Sequence, residues 1–197
     1  MSIAHVDRPD DPRLSDYAGM TDRELLLTRG LFVAEGRLVV QRVIASRRFR
    51  VRSVLVSPAA ETALSTALGG LPPEVPVFVA PLETFERLTG FHIHRGCLAL
   101  VERPPASTPG AVLDPSRLVV VLEDVTDADN VGSVFRNAAA LGGDAVLLSP
   151  STCDPLYRKA IRTSMAATLD VPFARLTNWP ADLDVLIDHG FTSVMMD

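Results

Sequence analysis

The segment LVVVLED, residues 118–124, limits the fold of this chain more than any other feature. A strand with one wet face alternates apolar and polar residues, whereas an uninterrupted apolar run needs cover on both sides, as in the centre of a parallel sheet. Parallel neighbours require crossover connections, so helices must follow such a strand. The sequence after residue 124 supplies them. A loop, TDADN, leads into VGSVFRNAAALGG, where Val134, Phe135, Ala138 and Leu141 recur at helical spacing. Asn130 stands where an N-cap belongs and Gly142 where the helix should stop. DAVLLSP (144–150) is the next strand, followed by a helix over 155–168, a short strand PFARL (172–176), a helix near 181–189 and a last strand, FTSVMM (191–196).

A similar alternation precedes this block. Strands are expected at LFVAE (31–35), VRSVLVS (51–57), VPVFVA (75–80) and GCLALVE (96–102), with helices over 37–47, 59–68 and 82–89 between them. Short β-branched runs alternating with helical patterns imply a layered α/β unit. Between the two blocks, RPPASTPGAVLDPSR (103–117) is rich in Pro and small polar residues and has no apolar period, as a linker would. The chain therefore divides into a flexible arm with a Pro and Asp bias (1–19), a first domain (20–103), a linker (104–117) and a second domain (118–197).

Several classes are disfavoured. No apolar run reaches the roughly 18 to 20 residues of a membrane helix, and Asp7, Asp10 and Asp11 do not suit a secretory signal. A cytoplasmic protein with no membrane partner is expected. Cys97 and Cys153 are far apart, without a CxxC pair or a His at ligand spacing, so two buried thiols are expected rather than a metal site or disulfide. The net charge of −5 does not favour a polyanion, but its distribution does. No acidic residue occurs from Arg37 to Ala60, where Arg37, Arg42, Arg47, Arg48, Arg50 and Arg52 cluster, and Arg158, Lys159 and Arg162 form a second basic group. Solvated faces paired with carboxylates elsewhere are the ordinary explanation of such groups.

Chemistry is expected where the first strand of the second domain meets its helix, because open α/β sheets gather ligands at the carboxyl ends of their strands. That handover runs from Glu123 to Arg136. A helix start attracts anions, so a phosphate-bearing ligand could dock near Asn130. Gly132 and Ser133 lie one turn before Arg136 and would leave a groove beside its guanidinium. Alternatively, Asn130 is only a cap, Gly132 only admits a neighbouring element, and Arg136 only bridges to Asp127 or Asp129. A Rossmann-type cofactor site is disfavoured because the turn is acidic TDADN instead of Gly-rich. A phosphatase would need a second Asp two residues after Asp124.

The stretch EDVTDADNVGSVFRNAAALG resembles the first motif of the SpoU (TrmH) family of RNA methyltransferases: an acidic residue, a short loop, then N-x-G-x-x-x-R-x-A. Asn130, Gly132, Arg136 and Ala138 fall on that pattern. DPLYRKAIRTSMAATLDVP (154–172) is similar to the family's next conserved stretch. LFVAEG with Arg37, and HRG (94–96) where members often carry HQG, resemble its N-terminal substrate-binding domain.

The resemblance implies a small α/β RNA-binding domain followed by a SPOUT-type, trefoil-knot parallel-sheet domain. The implied reaction moves the methyl group of S-adenosylmethionine to a ribose 2′-hydroxyl of rRNA or tRNA, in a homodimer. It makes Arg136 catalytic and has Asn130 shape the site. An arginine, with an ordinary pKa above 12, suits orientation and stabilisation of a developing alkoxide better than proton abstraction. RNA is expected to meet Arg37, Arg47, Arg48, Arg50 and His94 in the first domain and Arg158, Lys159 and Arg162 in the second, with His92 at the surface. The family's G-x-E-x-x-G loop and its Ser-Leu-Asn segment, which hold the cofactor, are not found in the sequence. The chain is thus expected to be a fragment of a longer protein, its cofactor pocket lying mainly beyond residue 197. The competing expectation is a non-catalytic RNA-binding protein derived from that family.

Overall fold

A computed structural model describes residues 2–19, 21–46, 48–89 and 96–195. The chain separates into two compact units, Met1–Pro104 and Pro105–Asp197.

The first unit is built on a five-stranded mixed sheet. Its strands are β1 (Ser2–His5), β2 (Leu31–Glu35), β3 (Val51–Val56), β4 (Pro76–Val79) and β5 (Cys97–Glu102), in the order β1-β4-β3-β5-β2. β1, β4 and β3 run parallel, while β5 is antiparallel to both β3 and β2. Helices α1 (Asp22–Arg29), α2 (Arg37–Ala45), α3 (Pro58–Gly69) and α4 (Leu82–Thr89) connect them. α3 is the crossover that parallel β3 and β4 require, started by the Ser57 hydroxyl accepting from the Ala60 N–H, with Pro58 in the first turn. α1 begins with a capping box, Thr21 and Glu24 each accepting the other's backbone N–H, and ends at left-handed Gly30.

The flexible arm expected over residues 1–19 is not found. β1 pairs with β4 from Ser2 to His5, and a 3-10 turn over Pro12–Tyr17 buries Leu14 and Tyr17. The Tyr17 hydroxyl lies 2.8 Å from Ser53 Oγ, and burial pushes its pKa well above the usual phenol range. Apolar anchors override the local Pro and Asp bias, because Val6, Leu14 and Tyr17 join the same core as Leu55, Phe85 and Leu100.

The second unit opens with α5 (Pro109–Leu113), so part of the expected linker over 104–117 is helical, with Val112 and Leu113 buried. β6 (Val119–Leu122), β7 (Ala145–Leu148) and β8 (Phe173–Arg175) form an all-parallel sheet in that order, so that among the described residues β7, and not β6 as the LVVVLED run leads one to expect, is the central strand. Asp144 fixes the entry to β6, its carboxylate accepting from the Arg117 and Leu118 N–H groups at 2.8 and 2.9 Å. Both faces are covered, as the LVVVLED run requires. Val120 and Leu122 pack with Val131 and Phe135 of α6 (Ala128–Leu141), and Val119 and Val121 pack with Val112, Leu113 and Leu186.

Four local expectations are corrected. Asp127, not Asn130, caps α6, accepting from the Asp129 and Asn130 N–H groups; Asn130 lies inside the first turn. The helix expected over 155–168 is two, α7 (Arg158–Thr163) and α8 (Ala167–Asp170), broken where Met165 and Ala166 take left-handed φ of 52° and 70°. The one near 181–189 is a 3-10 turn followed by α9 (Asp184–Asp188). Residues 191–195, expected as a strand, have no regular structure. Gly142 does end α6, at φ 81°.

Cys97 is buried, its thiol pushed up to about 12 by burial against the opposing pull of Arg37. Cys153 is half-buried. Among the described residues no helix is long and apolar enough to cross a membrane, and no cluster of three His, Cys, Asp or Glu residues suits a metal.

Candidate functional site

The carboxyl ends of β6, β7 and β8 open onto a polar cluster held together by its own side chains. Asp124, at φ 52°, donates its N–H to Ser149 Oγ at 2.9 Å. Its Oδ1 accepts from the hydroxyls of Ser149, at 3.1 Å, and of Ser151. Thr152 Oγ1 donates to the Leu122 carbonyl at 3.0 Å. One nitrogen of Arg175, at the end of β8, reaches the carbonyls of Ser149, Pro150 and Thr152 at 2.8, 3.1 and 2.7 Å. Trp179 Nε1 donates to Glu123 at 2.8 Å. These contacts tie the loops after all three strands to one another.

The start of α6 faces α7. Lys159 Nζ lies 2.8 Å from Asp129 Oδ2 and 3.9 Å from Asp127 Oδ2, and the Thr163 hydroxyl donates to Asp129 Oδ1 at 2.6 Å. The hydrogen bond from Lys159, then that from Thr163, holds the Asp129 carboxyl below its usual range, and Asp129 in turn raises Lys159. The helix start expected to receive a phosphate therefore already carries two carboxylates, and Lys159 is engaged by them.

Gly132 is buried against α7. A Cβ built there would stand 2.6 Å from the Ala160 carbonyl oxygen, 3.0 Å from Thr163 Cβ and 3.1 Å from the Ser164 nitrogen. The groove expected beside Arg136 is thus filled, at Gly132, by the backbone of α7. Asp129, Gly132 and Arg136 follow one another at i, i+3 and i+7 along one side of α6. The first two meet α7, and Arg136 emerges beyond them, exposed, with no hydrogen bond or ion pair to any described residue. Asn130 is also exposed. Arg158 and Arg162 share a face of α7 at i, i+4, apart from Lys159.

The arginine run of the first unit is not one patch. α2 carries the chain from one end of the sheet to the other. Arg37 follows Gly36 at the carboxyl end of β2, where the Gly36 N–H donates to the Cys97 carbonyl at the start of β5. Arg50 and Arg52 flank Val51 at the opposite end, paired with Glu102 at 3.7 and 3.8 Å. Arg48 lies over the Phe49 ring, 5.5 Å from its centroid. Arg37 Nε is buried without a hydrogen-bond partner among the described residues. Arg47 and His94, like His92, lie outside the described residues.

Sequence reasoning missed Arg175, Ser149 and Thr152. Ser149-x-x-Thr152 directly after an apolar strand, at the edge where chemistry was expected, was the available signal. Arg175 had none, because its three acceptors are backbone carbonyls.

A parallel sheet with helices packed on it, a polar cluster at its carboxyl ends and an exposed arginine on the first helix define an α/β domain with its candidate site at the strand ends, here preceded by a mixed-sheet unit. The model of the SpoU rRNA Methylase family matches residues 117–197. A tRNA/rRNA methyltransferase of Mycobacterium bovis, itself uncharacterized, is 40% identical over 200 residues, covering 100% of this chain and 68% of its own length. Among solved structures, an RNA 2′-O ribose methyltransferase superposes with a TM-score of 0.74 at 19% identity, over 95% of this chain and 70% of its own. The AdoMet-bound rRNA methyltransferase of Sinorhizobium meliloti gives 0.72 at 17% identity, over 95% and 68%. The chain belongs to the SpoU family of RNA methyltransferases. It spans about two thirds of the length of these relatives.

Proposed function

We propose that this chain forms the RNA-binding unit and the RNA-facing part of the methyl-transfer unit of an enzyme that modifies a ribose 2′-hydroxyl in rRNA or tRNA. The observation that carries the reading is Arg136: an exposed guanidinium without a protein partner among the described residues, on the row of α6 whose other members are consumed by packing. A cation left unpaired beside two engaged carboxylates is available to an anionic substrate.

Arg136 orients an RNA phosphate and stabilises the negative charge that develops on the ribose 2′-oxygen as it takes the methyl group and its proton passes to solvent water. Asn130, on the exposed first turn of α6, contributes a hydrogen bond to the same nucleotide. Arg158 and Arg162, with Arg37, Arg47, Arg48, Arg50 and His94 in the first unit, hold the RNA backbone. The domain assignment follows: residues 20–103 bind RNA, and 118–197 belong to the methyltransferase domain, which works as a homodimer.

The methyl group comes from S-adenosylmethionine, which the Sinorhizobium meliloti structure binds. None of the described side chains is assigned to that cofactor. Those at the strand ends do not fit it, because Asp124, Ser149 and Thr152 are bonded to one another or to Leu122, and Arg175 to three carbonyls.

The test is single-turnover transfer of labelled methyl to RNA by a chain carrying the complete methyltransferase domain. Ribose methylation is read from resistance of the product to alkaline cleavage. Arg136→Ala should lower the rate by roughly 10² to 10³ with an unchanged melting temperature, the loss expected when a preorganised charge-stabilising group is removed. Arg136→Lys should not restore it, since lysine lacks the planar fork. A folded Arg136→Ala protein with full turnover overturns the assignment. RNA affinity without methyl transfer in the unsubstituted protein would favour a non-catalytic RNA-binding role.

A further inference from the structure

The chain's one lysine stands between two carboxylates at the start of α6. Each carboxylate commits one oxygen to the fold. Asp127 Oδ1 accepts from the Asp129 and Asn130 N–H groups at 2.8 and 3.1 Å, and Asp129 Oδ1 accepts from the Thr163 hydroxyl at 2.6 Å. The second oxygens both turn to Lys159 Nζ, which lies 2.8 Å from that of Asp129 and 3.9 Å from that of Asp127. A compact ammonium with three rotatable donors serves two acceptors in this way more readily than the planar fork of an arginine. Asp129 is held ionised by these contacts, its carboxyl lying below the usual range through Lys159 first and Thr163 second.

α7 divides its polar side chains between two sides. Lys159 and Thr163, four residues apart, share the side that meets Asp129, next to the Ala160 and Ser164 backbone that closes on Gly132. Arg158 and Arg162 have the same spacing but are turned from Lys159 by roughly 60° to 100°, at 3.6 residues per turn. Asp129 shares its side of α6 with Arg136, which stands seven residues later, or about 10 Å along the axis at 1.5 Å per residue. At that distance in water one unit charge alters the local concentration of a phosphate group about twofold. Asp127 and Asp129 without a cation would therefore oppose an anion approaching Arg136, and Lys159 offsets one of the two.

We propose that Lys159 is a positioning residue and not an RNA contact: it cancels the charge of Asp129 on the approach to Arg136 and, with Thr163, fixes the first turn of α6, which carries Asn130. The proposal rests on the RNA reading of Arg136. It takes Lys159 out of the basic group expected to meet RNA and gives it a part that acts through Asp129.

The test measures binding of a labelled uridine decamer to the 197-residue chain by fluorescence anisotropy, with the melting temperature of each variant recorded beside it. Lys159→Met should weaken binding about two- to threefold at about 10 mM salt, and the difference should shrink at about 0.15 M, where the screening length is about 8 Å. Asp129→Asn keeps an acceptor for the Thr163 hydroxyl and should tighten binding by a similar factor. That gain cannot come from misfolding, so it decides the matter if Lys159→Met is unstable. The two substitutions together should return the unsubstituted affinity. A double variant as weak as Lys159→Met alone would mean that Lys159 touches RNA itself, which overturns the positioning role and leaves the RNA reading standing. Unchanged affinity in all three variants, whatever their melting temperatures, makes the contacts structural only and overturns it too. Arg136→Ala reports whether RNA lies on this face: if it binds the decamer as tightly as the unsubstituted chain, the RNA reading of Arg136 falls and the proposal with it.

Discussion

Substituting Gly132 by alanine sets two effects of known size against each other. In an exposed helix interior the change should stabilise by about 0.8–1.0 kcal/mol, the helix-propensity gap between the two residues. At Gly132 the new methyl would stand 2.6 Å from the Ala160 carbonyl oxygen and 3.1 Å from the Ser164 nitrogen, both backbone atoms that cannot rotate away. Ordinary carbon–oxygen contacts begin near ~3.3 Å, so α7 must withdraw by about 0.7 Å. That movement stretches the Thr163–Asp129 and Lys159–Asp129 contacts, now at 2.6 and 2.8 Å. Overpacking costs typically about 1–3 kcal/mol and a weakened hydrogen bond a further ~0.5–1.5. The net should be a loss of about 1–3 kcal/mol. In a unit spanning Pro105–Asp197 this lowers the melting temperature by roughly 5–20 °C. The chain has a single tryptophan, Trp179, in this unit, so its fluorescence follows the relevant transition. Ser133→Ala, one residue along on the exposed side, is the control and should raise the midpoint slightly. A Gly132→Ala protein that melts at or above the unsubstituted one would refute the close-packing argument and reopen a groove at this position.

Met165→Gly should raise the urea midpoint by the equivalent of about 0.5–1 kcal/mol, because an exposed non-glycine residue at φ 52° gives up the left-handed penalty; an unchanged midpoint would mean that its side chain contributes as much as the strain costs. Asp129 has its folded pKa below its unfolded value, so its contribution is complete above the ordinary carboxylate range and fades as pH falls through the folded pKa. Asp129→Asn should therefore lower stability at neutral pH and flatten its decline below about pH 4, as measured by denaturant titrations at several pH values; parallel curves for the two proteins would count against the Lys159 and Thr163 contacts.

The second unit's sheet was legible because uninterrupted apolar runs leave no other reading: β6 and β7 lie inside LVVVLED and DAVLLSP. Gly142 marked a helix end for a reason local to its own backbone. Errors arose where distant contacts decide. Nothing between Ser164 and Ala166 is a helix breaker by residue type, yet α7 ends at Thr163 and Met165 and Ala166 take left-handed φ. FTSVMM has the composition of a strand but, over residues 191–195, no neighbour to pair with among the described residues. Pro and Asp content pointed to an arm at the N-terminus, although Leu14 and Tyr17 were the clue to its packing. α1 was missed despite the Thr21-x-x-Glu24 signature of its first turn. At the candidate site, the sequence pointed to Arg136 and to the edge of the sheet where the polar cluster stands. It could not separate Asp127 from Asn130 as the cap, since both residue types cap well. Nor could it show that α2 carries the arginine run from one end of the sheet to the other.

Arg175 also governs how this scaffold can change in length. Its guanidinium requires three carbonyls, those of Ser149, Pro150 and Thr152, to converge on a single nitrogen. One residue added to or removed from that loop would turn at least one of them away and leave the strand-end cluster without its tie. Insertions and deletions should therefore gather elsewhere, in turns such as 70–75 whose bonds are local, and the spacing from β7 to α7 should stay fixed as sequences drift.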